Sequence, residues 1–248
     1  MRDELARAYD FLARGDMGGT RVEETPSGRV VFTDELPRRL DGNYLWVNRN
    51  AEPEELVAEA EQHERRLIFV PDPELGDRLA PWFERQGWRV DRHVVMVQLR
   101  KAERGADLSV VQELREEDLR PARREVLSGH SWATEEVLDH IFAAKRVIGE
   151  RVRARFFGAV VDGEVVSYSD LYQDGADAQI EDVGTLPERR DRGYASAVVL
   201  AAIEAARRDG AEFVCLVADA NDWPKELYRR LGFDTVGHYT KFFAPGSM

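Results

Sequence analysis

Hydrophobic positions in the second half of the chain switch between the two-residue spacing of strands and the three-to-four-residue spacing of helices. In chain order, the spacing predicts a strand, two helices, three strands, a helix, a strand, a helix and two closing strands. A meander followed by strand–helix units predicts a mixed sheet, antiparallel at first and partly parallel later. The predicted elements cover 109–114, 116–127, 134–148, 155–161, 164–172, 178–185, 196–208, 213–217, 224–231 and 234–243.

The first hundred residues have a less regular pattern. Helical spacing covers 4–14, 54–63 and 74–86, and apolar strand candidates are 29–32, 44–47, 67–70 and 93–99. The polar, charged segment 101–107 is the best linker. We therefore expect a smaller α/β lobe over 1–104 and a main domain over 105–248.

Five residues of the first half have the same spacing as five near the end of the chain. Each set follows an apolar strand, and this indicates an internal repeat, with chance coincidence as the alternative. The pairs are Trp82 and Leu227, Phe83 and Tyr228, Gly87 and Gly232, Trp88 and Phe233, and His93 and His238.

Composition narrows the function classes. There are 47 acidic and 35 basic side chains, a formal charge of −12, which argues against a nucleic-acid partner. An acidic surface is compatible with a cationic substrate, although it serves solubility first. Cys215 is the single cysteine, so no intramolecular disulfide forms, and its apolar surroundings predict a core position. The histidines lack metal-ligand spacing, and neither a signal peptide nor a membrane span is evident, so we expect a cytoplasmic protein without a metal.

The segment between the strand ending near Thr185 and the following helix contains Gly193 with small neighbours Ala195 and Ser196. Backbone N–H groups in such a turn point into one concavity, and a helix N-terminus adds partial positive charge, so the turn suits a pyrophosphate. Three arginines nearby would attract that anion. An ordinary strand-to-helix turn with a solvated basic cluster is the alternative.

Two motifs resemble those of the GNAT acetyltransferases. Thr185-x-Pro187-x-x-Arg190-x-x-Gly193-x-Ala195 is similar to the family's motif A. Asn221, Tyr228 seven residues later and Leu231-Gly232-Phe233 are similar to its motif B, at the right separation. The resemblance covers about residues 108–244. It implies an α+β GNAT fold, a mixed, mostly antiparallel sheet flanked by helices, here joined to a smaller α/β N-terminal lobe that is a degenerate GNAT-like half.

The resemblance also implies a co-substrate, acetyl-CoA, and a role for each matching position. The strand around Gly184 would pair with the pantetheine arm through backbone groups of Val183 and Thr185. Asn221 would contact the arm, and Tyr228 would donate a proton to the departing sulfur. The pyrophosphate would be held by the loop and first helical turn, which comprise Arg190, Asp191, Arg192, Gly193, Tyr194, Ala195 and Ser196.

The group that takes the amine proton is less defined. Alternation along the strand places Glu181 on the same face as Val183 and Thr185, with Asp182 on the other. Many members of the family carry the acid two residues earlier, where this chain has Gln179. Glu181 is therefore either the base or a structural or substrate-orienting carboxylate. Trp132, Tyr168 and Tyr172 are candidates for the acceptor pocket.

Together these features predict an acetyl-CoA-dependent N-acetyltransferase that acts on the primary amine of a small molecule by direct attack. A protein N-terminal acetyltransferase and a non-catalytic CoA-binding module are the alternatives, and an interaction protein with a GNAT-like shell is a third. We expect a monomer or homodimer, with neither nucleic acid nor membrane as a partner.

Overall fold

A computed structural model describes residues 2–15, 17–37, 39–130 and 133–247. Within them the chain forms seven α-helices and eleven strands. The helices are α1 (Arg2–Arg14), α2 (Pro53–Gln62), α3 (Pro73–Arg85), α4 (Glu116–Ser128), α5 (Glu135–Gly149), α6 (Tyr194–Arg208) and α7 (Pro224–Arg230). The strands are β1 (Arg21–Glu24), β2 (Gly28–Phe32), β3 (Tyr44–Val47), β4 (Leu67–Val70), β5 (Arg89–Gln98), β6 (Val111–Leu114), β7 (Arg153–Val161), β8 (Glu164–Asp174), β9 (Asp177–Thr185), β10 (Phe213–Asp219) and β11 (Phe233–Phe243).

All eleven strands belong to one sheet, in the order β1-β2-β3-β4-β11-β5-β10-β9-β8-β7-β6. The pairs β3–β4 and β9–β10 are parallel, and the other neighbours are antiparallel. The predicted α+β class and mixed, mostly antiparallel sheet are thus confirmed.

The two halves of the chain repeat one topology and exchange their last strands. In the first half β1, β2, β3, α2, β4, α3 and β5 follow the same course as β7, β8, β9, α6, β10, α7 and β11 in the second. The final strand of each half pairs with the other half, β5 with β10 and β11 with β4, and the two also pair with each other. The segments 1–104 and 105–248 therefore share one sheet, and their division into domains stays a proposal.

Helices cover both faces of the sheet. On the first face lie α1, α4 and α5, where Phe11, Ile148 and Tyr172 pack together. On the second face lie α2 and α3 over the first half and α6 and α7 over the second. Two-sided cover explains why β3, β4 and most of β10 are apolar throughout rather than alternating.

Local sequence signals explain where several elements begin. Thr134 begins α5 as predicted, because its Oγ1 accepts a hydrogen bond from the backbone N–H of Val137 at 3.3 Å. Asp72 begins α3 in the same way and accepts from the N–H of Leu75 at 3.0 Å. The turn Asp162-Gly163 joins β7 to β8, with left-handed φ of 55° and 83°.

Three elements differ from the prediction. The two closing strands expected over 234–243 are one strand, β11, with an irregularity in its pairing between Thr235 and Gly237. The first strand of the main domain begins with a single 3₁₀ turn, Leu108–Val110. Strand β1 was not predicted, because all four of its residues are exposed and show no apolar alternation.

Candidate active site

Strands β9 and β10 separate halfway along their length. Their parallel pairing runs from Phe213 opposite Asp177 to Leu216 opposite Ile180 and then stops. Both strands continue, β9 to Thr185 and β10 to Asp219. A wedge-shaped gap therefore opens at Glu181, and among the described strands none pairs with the edge of β9 beyond it on that side.

A bulge in β9 changes which side chains share a face. Tyr168 pairs with Gly184 and Asp170 with Glu181, so β9 has one residue more than β8 between these pairs. Asp182 lies at the bulge with φ of 51°. Val183 packs with the apolar cluster of the second face, whereas Glu181 faces a cavity on the first. The predicted common face of Glu181 and Val183 is therefore wrong, because the extra residue inverts the alternation.

The same bulge corrects the prediction for Asp182. Its carboxylate contacts Lys145 of α5 at 3.0 Å and Arg123 of α4 at 2.9 Å, and both helices cover the first face. Asp182 and Glu181 therefore lie on the same face rather than on opposite ones.

Glu181 lines a cavity of about 300 Å³ at the gap. Its Oε2 accepts a hydrogen bond from Nε2 of Gln179 at 2.6 Å, which holds the carboxylate in place. Residues from both halves of the chain form the wall: Leu12, Met17, Asp41, His93, Gln179, Glu181, Val217, Ala218, Asp219, Tyr239 and Lys241.

Charged groups in this wall are partly paired. Lys241 contacts Asp41 at 2.5 Å. Burial alone would raise the pKa of Asp41, but the Lys241 and Arg39 charges outweigh it and lower that pKa to about 2. Burial, together with the Lys241 charge, lowers the pKa of His93 to about 4, so its imidazole is neutral at physiological pH. With Glu181 and Asp219, the wall is acidic overall.

Tyr228 lies on α7 at the other side of the gap. It is 8% exposed and packs in the same apolar cluster as Ile180 and Leu216, the last paired residues of the two strands. Burial, and then the charges of Glu181 and Asp182, raise its pKa above the ordinary value. The phenol therefore keeps its proton, as a proton donor requires.

The loop before α6 has the backbone of an anion site. Asp191 and Gly193 adopt left-handed φ values of 61° and 84°, and α6 begins at Tyr194. The first-turn amides of a helix have no partner within it, so those of Tyr194, Ala195 and Ser196 are available. Apart from residue 193 and its two chain neighbours, no atom of the described residues lies within 4 Å of the position that a Cβ at residue 193 would take. Arg190, Asp191 and Arg192 are exposed here.

The remaining predicted positions lie beside this gap. Thr185 ends β9, and its hydroxyl lies 2.9 Å from that of Ser167. Gly184 has a packing reason to be glycine, because a Cβ there would lie 2.2 Å from the Tyr168 ring. Asn221 is exposed in the turn after β10, and its N–H donates to Asp219 at 2.7 Å.

A buried group of charges braces the bulge. Arg123 contacts Asp170 at 2.5 Å and Lys145 contacts it at 2.7 Å, and all three side chains are nearly or fully buried. Burial disfavours the Lys145 ammonium, but the carboxylates of Asp170 and Asp182 outweigh burial and hold its pKa well above the ordinary value. These ion pairs join α4 and α5 to the strands that form the gap.

Two of the predicted pocket residues lie elsewhere. Tyr168 is 1% exposed and covers Gly184, and Tyr172 is fully buried, with its hydroxyl donating to Asp170 at 3.0 Å. Neither lines the cavity beside Glu181. Arg123 of α4 lies over the Tyr168 ring, 5.1 Å from its centroid, and Lys145 of α5 donates to the Tyr172 hydroxyl at 3.1 Å. Trp132 lies outside the described residues. Cys215 is buried in the core, as predicted.

The sequence contained partial signals for the residues it did not predict. Lys145 interrupts the apolar side of α5, and Asp170 interrupts an otherwise buried strand, so each marks a charge that must find a partner. His93, Asp41 and Lys241 carried no such signal, because strand exchange brings them to the gap.

Within the described part of the chain, no group of three or more His, Cys, Asp or Glu side chains is arranged to hold a metal ion. Of the helices in these same ranges, none has both the length and the apolar character needed to cross a membrane.

Solved structures share this fold across nearly the whole chain. A conserved protein of unknown function from Staphylococcus epidermidis ATCC 12228 is 14% identical, covers 92% of this chain and 94% of its own, and has a TM-score of 0.70. A GCN5-related N-acetyltransferase from Kribbella flavida is 15% identical, with coverage of 98% and 96% and a TM-score of 0.65. A tandem GNAT protein from the clavulanic acid biosynthesis pathway is 15% identical, with coverage of 92% and 84% and a TM-score of 0.55.

Sequence comparison adds one assignment. No curated protein matches the chain. Residues 111–233 match the model of the acetyltransferase (GNAT) family. That range runs from β6 to the start of β11 and contains the gap, the Gly193 loop and Tyr228. The chain therefore carries an acetyltransferase domain of the GNAT family, built into one sheet with a first half of the same topology.

Proposed function

We propose that the protein transfers an acetyl group from acetyl-CoA to the primary amine of a small molecule. The observation that carries this proposal is the gap between β9 and β10, with Glu181 on one side and Tyr228 on the other. Binding of acetyl-CoA would supply a thioester, an activated acetyl donor, at this gap.

The residues present fit such a co-substrate. The unpaired edge of β9, around Val183 and Thr185, offers backbone groups to a pantetheine arm. The open Gly193 turn and the free first-turn amides of α6 offer donors to a pyrophosphate. The exposed Arg190 and Arg192 add positive charge, and Asn221 lies in the turn at the end of β10.

Two side chains would move protons in a direct attack. Glu181, which Gln179 holds in the cavity wall, would accept the proton that the amine must lose. Tyr228, whose pKa is raised, would donate its phenolic proton to the leaving thiolate. A positioned acid or base of this kind typically contributes about 10²–10⁴ in rate.

The size of the cavity favours a small acceptor over a protein N-terminus. About 300 Å³ is at the lower end of the range for small-molecule sites. Its wall is acidic, which favours binding of an ammonium group before the proton is lost.

Release of free thiol from acetyl-CoA tests the proposal. We would supply alkylamines, amino alcohols, diamines and short peptides, and compare wild type with Glu181→Gln. We expect turnover on at least one small amine and a loss of at least about 10²-fold in kcat for Glu181→Gln, with CoA affinity unchanged. Glu188→Gln, an exposed carboxylate outside the cavity, is the matched control.

Each alternative predicts a different result. Tight CoA binding without turnover on any amine would indicate a non-catalytic CoA-binding module. Turnover on peptides alone would indicate a protein N-terminal acetyltransferase. An unchanged kcat for Glu181→Gln would remove Glu181 as the base.

A further inference from the structure

The first half of the chain supplies part of the cavity beside Glu181. His93 comes from β5, Asp41 from the loop before β3, and Leu12 from α1. His93 reaches the gap because β5 pairs with β10, so that His93 lies opposite Asp219. The first half therefore helps to determine what this cavity can bind.

His93 contributes a nitrogen atom that nothing in the described chain satisfies. Its Nδ1 is buried and has no hydrogen-bond partner among the described residues. Leaving such an atom unpaired typically costs about 1–3 kcal/mol, so buried polar atoms are nearly always bonded. Because His93 lines the cavity, a ligand bound there lies beside this ring.

The position of the ring is fixed by packing. His93 stacks on Tyr239 of β11, with ring centroids 5.1 Å apart and an angle of 17° between the planes. The same two residues are paired across the strands. A preorganised side chain loses little rotational freedom when it binds, so it can discriminate between ligands.

The surroundings define the chemistry of the partner. The nearest positive charge, Lys241, is already paired with Asp41, and His93 itself is neutral. A neutral imidazole can form a hydrogen bond without repelling a nearby ammonium. Apolar side chains, including Val217 and Leu12, also line the cavity. This wall fits a short carbon chain with an amine for Glu181 and a second polar group for His93.

We propose that His93 binds the acceptor through Nδ1 and selects amines that carry a second hydrogen-bonding group, a hydroxyl or an amino group. This inference rests on the proposed acetyl transfer and adds a residue of the first half to the acceptor site. His238, the counterpart of His93 in the repeat, lies near Asp77 of α3, 3.7 Å away, and does not line the cavity.

Thiol release with matched acceptors tests this. For chains of three, four and five carbons, we would compare the n-alkylamine with the amino alcohol and the diamine of equal length. We expect kcat/KM for one of the polar-ended series to exceed that for the plain amine by at least tenfold at one or more lengths. The two series show whether hydroxyl or amino is preferred.

Two variants connect the preference to Nδ1. His93→Phe keeps a ring that can stack on Tyr239 but has no nitrogen, so the preference should disappear and the acceptor KM should rise about tenfold. The KM for acetyl-CoA and the melting temperature should stay unchanged. His93→Asn places an amide near the position of Nδ1 and should retain most of the preference. If His93→Phe does not fold, His93→Leu replaces it.

The outcomes separate the two proposals. Thiol release with equal kcat/KM for plain and polar-ended amines at every length would overturn the role of His93, as would a preference that survives in His93→Phe. Absence of thiol release with every amine would instead overturn the acetyl-transfer proposal.

Discussion

The two halves of the molecule have the same order of strands and helices but differ wherever the second half has its candidate site. After β9 the chain makes an open turn with a left-handed Gly193, and the first amides of α6 have no partner within the helix. After β3 the corresponding helix, α2, begins with Pro53, and Glu52 and Glu55 form a capping box. In that box the Glu52 N–H donates to Glu55 at 3.1 Å, and Pro53 has no N–H, so fewer backbone donors remain for an anion.

The same contrast holds at the short helix before the last strand. Tyr228 of α7 is near the gap, whereas its counterpart Phe83 of α3 is fully buried and stacks on Phe242, with centroids 4.2 Å apart. The second half thus has backbone donors, a phenol and a gap between strands. At the equivalent positions the first half has a helix cap and packed aromatic rings. The common topology serves two purposes, a site in one half and packing in the other.

We expect the largest effect from giving Tyr228 or Phe83 the side chain of its counterpart, in two separate variants. Tyr228→Phe removes the proton donor, so we expect kcat for thiol release to fall by about 10²-fold or more, with CoA affinity unchanged. Phe83→Tyr places a hydroxyl in the stacked pair and should lower the free energy of unfolding by about 1–3 kcal/mol without changing kcat. Steady-state kinetics and denaturant unfolding measure both. Equal kcat for wild type and Tyr228→Phe would contradict the role of the phenol.

Removing a cation from beneath the bulge should reduce stability strongly. In Arg123→Met, the Lys145 ammonium is the one remaining partner of both Asp170 and Asp182 among these contacts. We therefore expect the free energy of unfolding to fall by about 3–5 kcal/mol. Arg124→Met, at the next position of α4, removes an exposed cation paired with Glu135 and should cost less than about 1 kcal/mol. Urea unfolding compares the two, and similar losses would mean that the buried charges do not brace β9.

The fold could largely be predicted from the sequence, because most elements have regular apolar spacing and clear capping or turn residues, such as Thr134 and Asp162. The repeat was visible only around Phe83 and Tyr228, since the rest of the first half has lost the motifs. The spacing of apolar residues could not predict the strand exchange. Periodicity depends on neighbouring residues, whereas the pairing of β5 with β10 joins residues far apart in the chain.

The loop and Tyr228 were predicted from motifs, but the arrangement around Glu181 was not. A single extra residue at Asp182 inverted the alternation on which the prediction for Val183 depended. His93 joins the cavity through contacts more than a hundred residues apart in the chain. Both depend on register, which pairing determines and one-dimensional patterns do not contain.

Two glycines with similar left-handed φ allow a matched test of the loop. Gly193 in the second half and Gly87 in the first have φ of 84° and 77°, and neither has an atom within 4 Å of its Cβ position. Valine at either site should cost about 1–2 kcal/mol of stability because of the left-handed backbone. In titration calorimetry we expect wild type to bind one CoA per chain. Only Gly193→Val should weaken this binding, by about tenfold or more. Equal loss in both variants would show that the effect comes from strain alone.

Helix caps in the two halves give the smallest effect and test whether the halves unfold together. Asp72→Ala removes the cap of α3, and Thr134→Ala removes that of α5, each costing about 1 kcal/mol. Because β5 and β11 are exchanged, neither half has a complete sheet without the other. Each variant should therefore increase amide hydrogen exchange about fivefold in both β3 and β8. Faster exchange confined to the half that carries the substitution would show that the shared sheet does not couple them.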